Sequence, residues 1–272
     1  MLTLYKWIVA VAYLVTLVIY WRYFVTQESQ IRKFLPVTLA VTVLLHLGYL
    51  AVFSHTAKHL PLSNVFEVMT TIVFLYSLTY LVLELFIRDY SMGIIILSLS
   101  FVFQTTSNAL IDTGKKLAPV LMEVTFFQVH VSLMMLAYSG FTISFIASLL
   151  YVLLSREIHD KQLGFFFSRL PSLELLDRMS NLAVAFGVIF LSLGMLLGGY
   201  MANKVWGEGW PTDPKLVSVF VTWIIYASFL YLRNQRGWQG KKACYVSIAG
   251  FGWLLISFGI FTTFLSRLHS FT

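Results

Sequence analysis

Eight apolar runs, each about as long as a bilayer's hydrocarbon layer needs, leave this chain few folds to adopt. They cover residues 2–24, 35–53, 65–87, 92–109, 124–154, 182–201, 216–232 and 243–265. A helix rises 1.5 Å per residue, so about 17–25 apolar residues cross the roughly 30 Å core of a membrane. Inside lipid no water pairs with the backbone, and a helix satisfies its own N–H and C=O groups within the segment. The alternating pattern and hairpin signals of a barrel are absent. The expected fold is all-α: a polytopic integral membrane protein of about eight helices, forming a single membrane domain over residues 1–272. Composition agrees, since 11% of residues are charged against about 25% in a soluble domain. The first run is followed by no small-residue cleavage site and reads as a first span. The fourth run ends in a polar stretch, Gln104 to Asn108. The fifth exceeds what a bilayer requires, which predicts projection or tilt.

The net charge is +7, but the basic residues sit at the ends of the apolar runs. Charge so placed anchors helices at a membrane surface and is a poor nucleic-acid footprint. Twelve of the 19 lysines and arginines, among them Arg22, Arg32, Arg88, Arg156, Arg233 and Lys241, fall on one side of the predicted topology. The positive-inside rule makes that side cytoplasmic and puts both termini outside. Cys244 is the single cysteine, so no internal disulfide forms. No Cys-x-x-Cys-His motif for covalent haem attachment occurs.

On this topology one loop stands out. Between the sixth and seventh runs, on the outer side, the chain reads Val205-Trp206-Gly207-Glu208-Gly209-Trp210-Pro211-Thr212-Asp213-Pro214-Lys215. His130, about six residues into the fifth run, and His269, after the eighth, are predicted on the same side. Indoles offer flat apolar platforms, and glycines let backbone approach closely. Asp213 can orient loop amides, and histidine is the commonest axial ligand of haem iron. The set Trp206, Gly207, Trp210 and Asp213 with His130 and His269 therefore reads as a cradle for a flat, apolar, metal-bearing ligand, with haem the candidate and the two imidazoles its iron ligands. Lys204, Lys215 and Arg267 stand by for propionates.

Plainer readings apply elsewhere. Trp7, Trp21, Trp223, Trp238 and Trp253 read as interfacial anchors, and His55 and His59 as surface residues. His46 lies mid-span, where it is either functional or a neutral side chain hydrogen-bonded to a neighbouring helix. Gly194 and Gly198 form a GxxxG pair that predicts close helix packing. The cluster of Arg233, Arg236, Lys241 and Lys242 reads as a cytoplasmic anchor. Glu67 and Glu84 read as interfacial.

The stretch from Trp206 to Lys215 resembles the tryptophan-rich "WWD" signature, Trp-Gly-x-x-Trp-x-Trp-Asp-Pro-Lys, of cytochrome c assembly proteins of the CcsA (ResC) type. Pro171 to Arg178, Trp223 to Ala227, Arg236 to Gly240 and Leu268 to Phe271 are similar to further parts of that family. So is His59-Leu60-Pro61-Leu62-Ser63-Asn64-Val65-Phe66-Glu67. The resemblance implies a protein of a bacterial-type cytoplasmic membrane that holds haem b at the outer face. His130 and His269 would ligate the iron, and a CcsB (ResB) type membrane partner would help present it to apocytochrome c. Three positions depart from the pattern: Thr212 replaces the second tryptophan, Leu216 a glutamate, and Tyr231 a histidine. Related HemX/YpjD-like proteins share the helical frame but lack much of the loop, which keeps a regulatory or scaffold role as the alternative.

Overall fold

The computed structural model describes residues 2–57, 59–111, 126–161, 164–206 and 214–257, with backbone alone for 202–206 and 214–215. The described chain is helical, and seven of its helices are long and apolar enough to cross a membrane. The chain packs as two compact units, Met1–Ala118 with Leu163–Pro171, and Pro119–Gln162 with Ser172–Thr272.

The first unit contains α1 (Leu2–Thr26), the short α2 (Ser29–Arg32), α3 (Leu35–Ala57), α4 (Val65–Ile87) and α5 (Gly93–Leu110), with a 3₁₀ turn at Phe167–Arg169. The four long helices form a ring in which α1 and α4 each pack against both α3 and α5. Short connections make sequence neighbours antiparallel. Helix α4 starts where Asn64 turns its Oδ1 onto the N–H groups of Phe66 and Glu67, pairing amides that the first turn leaves orphaned. It ends at Arg88, whose φ of 60° and N–H to the Glu84 carbonyl close the last turn. Tyr13, Tyr20, Tyr49, Tyr80, Leu35, Leu39 and Ile96 fill the interior. Leu4, Trp7, Val11, Val15, Val18 and Trp21 of α1 remain exposed, an apolar face suited to lipid.

The second unit contains α6 (Phe127–His159), α7 (Leu173–Trp206), α8 (Pro214–Arg236) and α9 (Lys241–Ile256). Helices α6 and α7 are antiparallel and touch at glycines. A Cβ on Gly140 would stand 2.7 Å from the Ala183 carbonyl oxygen, so only glycine permits this backbone approach. Phe141 and Tyr226 stack with ring centroids 3.8 Å apart, inside a core completed by Ala137, Val184, Leu191, Phe229 and Ala243. Ser144, Ser148, Ser180 and Ser247 bond to one another between α6, α7 and α9.

Helix α6 has 33 residues and α7 has 34, or about 50 Å each, well beyond the hydrocarbon thickness. The expected excess length of the fifth run is thus present, and the sixth shares it, because the polar lead-in from Leu173 is helical too. Glu174, Asp177 and Arg178 on α7 and Arg156 and Glu157 on α6 gather at one end of the unit. The surplus turns project there.

That charged end is also tied. The Arg233 guanidinium grips Asp177 with two hydrogen bonds, of 2.9 and 2.6 Å, and the Gly240 N–H adds a third at 3.1 Å. Gly237 and Gly240, both at positive φ, allow the α8–α9 turn to fold back onto the carboxylate. Arg233, read from the sequence as part of a cytoplasmic anchor, is also half of a largely buried bidentate pair. Trp223 and Trp253 depart from the role of free anchors. Their indole N–H groups donate to the Ser192 hydroxyl and the Ser218 carbonyl, holding α7, α8 and α9 together.

Candidate functional site

His130 is the fourth residue of α6, at the end of the second unit opposite the Asp177–Arg233 pair. Its ring lies over the glycines of α7. A Cβ built on Gly198 would come within 2.7 Å of its Cε1 and 3.1 Å of its Nδ1. The Gly194–Gly198 pair expected to bring two helices together does so, and the space it opens holds an imidazole.

The Nδ1 atom is 2.8 Å from the Gly194 carbonyl oxygen. A carbonyl cannot donate, so Nδ1 carries the hydrogen. In the neutral ring the lone pair is then on Nε2. One hydrogen bond to the backbone thus fixes both tautomer and ring direction, the arrangement by which proteins prepare a histidine for metal.

Chain direction brings the described ends of neighbouring helices to the same end of the unit. Gly198 lies eight residues, about 12 Å, before Trp206, where α7 stops. Helix α8 starts at Pro214. Helix α9 runs back towards this end, its Trp253 bonding to Ser218 near the start of α8, and leads into the segment that carries His269. Gly207, Trp210, Asp213 and His269 lie outside the described residues, as do the propionate candidate Arg267 and the altered position Thr212. Trp206 closes α7 and is described by its backbone.

The first unit gives His46 a different role. Asn108 donates its Nδ2 hydrogen to the Lys6 carbonyl at 2.7 Å, which leaves its Oδ1 facing Gln104. Gln104 therefore donates Nε2–H to that oxygen at 2.9 Å and presents Oε1 to Thr70. The Thr70 hydroxyl donates to Oε1 at 3.0 Å, so it accepts from His46 Nε2 at 3.0 Å. His46 Nδ1 is left as the acceptor for the Tyr13 hydroxyl, also at 3.0 Å. One backbone carbonyl thereby sets the polarity of a five-side-chain run. His46 is fully buried and neutral, with one nitrogen protonated and the other occupied. Of the two roles open to it in the sequence, the structure supports the hydrogen-bonded one.

Three other readings are corrected or completed. His59 is buried, not a surface residue; its Nδ1 lies 2.8 Å from the Leu60 carbonyl and 3.1 Å from the Ser63 hydroxyl. His55 is exposed. Glu67 and Glu84, near the two ends of their helix as expected, are both fully buried within the protein. Glu67 is accounted for by the Pro61–Asn64 turn: Ser63 N–H donates to it at 2.8 Å and Asn64 Nδ2 at 2.9 Å. This is a capping-box arrangement in which an N3 carboxylate reaches back to the chain before the helix.

Among the described residues no group of three or more histidine, cysteine or acidic side chains is placed to hold a metal ion. What the described site supplies is a single preset imidazole. Sequence reasoning found that imidazole but missed its partners, the Gly194 carbonyl and the Gly198 floor. The GxxxG spacing was the available signal.

Residues 62–269 match the family model described as Cytochrome C assembly protein. The chain is 28% identical over 211 residues to "Cytochrome c biogenesis protein CcsA" of Guillardia theta, covering 71% of this chain and 70% of that protein. It is 30% identical over 241 residues to the protein so named from Prochlorococcus marinus subsp. pastoris, covering 78% and 75%. With that of Heterosigma akashiwo it shares 25% identity over 276 aligned residues, covering 88% and 85%.

Proposed function

This chain belongs to the cytochrome c assembly protein family and takes part in cytochrome c biogenesis, and from that premise we propose that it holds haem at the outer membrane face and presents it to apocytochrome c. The observation that carries this reading is the preset imidazole of His130, with Nδ1–H given to the Gly194 carbonyl and the ring laid in the Gly198 slot. In such a ring the backbone bond fixes Nε2 as the nitrogen that would face an iron, in this proposal. It stands at the end of the unit from which the tryptophan-bearing connection departs. His269 supplies the second axial ligand in this proposal. Trp206 and Trp210 contact the porphyrin face, Gly207 admits close approach, and Asp213 orients the loop.

Haem b is the substrate, and this protein's work is orientation and protection. Two imidazoles hold the iron until a docking apocytochrome displaces one. The thioether bonds then form between the apocytochrome's own Cys-x-x-Cys-His thiols and the haem vinyl groups. Holding both reactants in one geometry is itself a large rate effect. We place the protein in a bacterial-type cytoplasmic membrane with both termini outside, working with a CcsB-type partner.

The test is direct. His130→Ala and His269→Ala are expected to lose haem during purification, and added imidazole is expected to restore a low-spin spectrum. Mutants that retain the wild-type spectrum would remove these residues as ligands. A wild-type protein that stays colourless from haem-replete cells would instead support the scaffold role.

A further inference from the structure

Glu84 is a further buried ionisable group in the first unit, and the proposed haem chemistry makes no use of it. It lies one turn from the end of α4 and is fully buried. The ion pairs among the described residues do not include it. An unpaired carboxylate in such surroundings costs several kcal/mol, so the neutral acid is favoured on burial alone.

Its hydrogen bonding agrees. The Tyr20 hydroxyl of α1 lies 2.7 Å from Oε1 and 2.9 Å from Oε2. A phenol has one hydrogen, which donates to the carboxyl group as a three-centre bond when Glu84 is ionised; in the neutral acid each contact holds a hydrogen of its own. A proton on the carboxyl supplies the second. The Tyr80 hydroxyl, one turn back on α4, is buried and lies against the same carboxyl. It is placed to accept from the acid or to donate to the anion. Gly93 at the start of α5 clamps Tyr20 in position: a Cβ there would sit 2.2 Å from the ring carbons.

The other charged groups lie towards the α4–α5 turn. Asp89 is half-buried and accepts from the Ser91 N–H. Tyr90 is half-buried under the Arg32 guanidinium, and Arg32 also donates to the Arg88 carbonyl. Arg88 is exposed. The acid is thus enclosed by Tyr20 and Tyr80, and the half-buried Asp89 follows five residues further along the chain, at the turn.

We propose that Glu84 with Tyr20 and Tyr80 is a proton-binding site, holding one proton at rest and exchanging it with water at the Arg88–Tyr90 turn. On release, the carboxyl O–H bond breaks and its proton passes to water beside Asp89. The carboxylate keeps the electron pair, and both phenols donate to it. Return reverses the step, and no redox partner is involved. The ligand is the proton and not a metal cation, because the Tyr20 oxygen stands at hydrogen-bond distance from both carboxyl oxygens.

Infrared spectroscopy of the purified full-length protein in lipid tests this. At neutral pH the wild type is expected to show a protonated-carboxyl stretch that shifts in D₂O, fades reversibly as pH is raised, and is missing from Glu84→Gln. Tyr20→Phe keeps the acid but removes one hydrogen bond, so its band is expected to move to higher frequency; this covers the case in which Glu84→Gln does not fold. Identical wild-type and Glu84→Gln spectra, or a band that does not exchange with D₂O, would overturn the proposal. A band abolished by sodium at fixed pH would also overturn it, in favour of a metal-cation site.

Discussion

Replacing Gly198 by alanine tests the reasoning about His130 without touching the imidazole. The added Cβ would lie 2.7 Å from Cε1 and 3.1 Å from Nδ1, whereas carbon atoms rest about 3.5–4.0 Å apart. The ring must therefore retreat by about 1 Å. The Nδ1–H bond to the Gly194 carbonyl starts at 2.8 Å, and such a retreat takes it to the edge of hydrogen bonding or past it. Losing the partner that orients a metal-bound histidine weakens metal affinity about 10–100-fold, and that range sets the expected loss of haem affinity. Gly194→Ala is the matched control. Its Cβ would meet the Met134 sulfur at 2.8 Å, the far part of a flexible side chain that can swing away, and the carbonyl stays. Haem titration followed by absorption, with thermal melting of both variants in the same detergent, provides the assay. Gly198→Ala is expected to be folded and haem-poor, and Gly194→Ala close to wild type. If both bind haem equally well and with the wild-type spectrum, the slot does not govern the ligand.

Two further outcomes follow from the polar contacts. Asp177→Ala leaves the largely buried Arg233 unpaired and should lower stability in a denaturant titration by about 3 kcal/mol; the double variant Asp177→Ala with Arg233→Met should recover part of that loss. A single variant as stable as wild type would show that the α8–α9 turn does not depend on the pair. His46→Phe removes the acceptor of the Tyr13 hydroxyl, while Thr70 keeps its bond to Gln104, and should cost about 1–3 kcal/mol for the buried hydroxyl left unmatched. Its haem spectrum should be unchanged, and a lost or altered spectrum would make His46 an iron ligand.

Much of this protein is legible before any coordinates. The apolar runs predict the helices to within a few residues, because lipid forces each segment to satisfy its own backbone. The largest boundary error is instructive. The sixth helix starts at Leu173, nine residues before the apolar run at Leu182, since hydropathy marks where lipid begins and not where helix begins. His130 is legible as a candidate from its position near the end of a span.

Partnership is what the sequence alone leaves undecided. His46 and His130 look alike in a hydropathy reading, each a lone histidine in an apolar helix. Side chains from two other helices, Tyr13 and Thr70, occupy both nitrogens of the first; a backbone carbonyl meets the second and fixes its tautomer. Glu67 and Glu84 are equally ambiguous, and a four-residue turn bonds one while two tyrosines face the other. Local chemistry specifies which segments enter the membrane because the solvent acts on each segment separately. The states of His46, His130 and Glu84 are set by atoms tens of residues away, and only packing brings those atoms within about 3 Å.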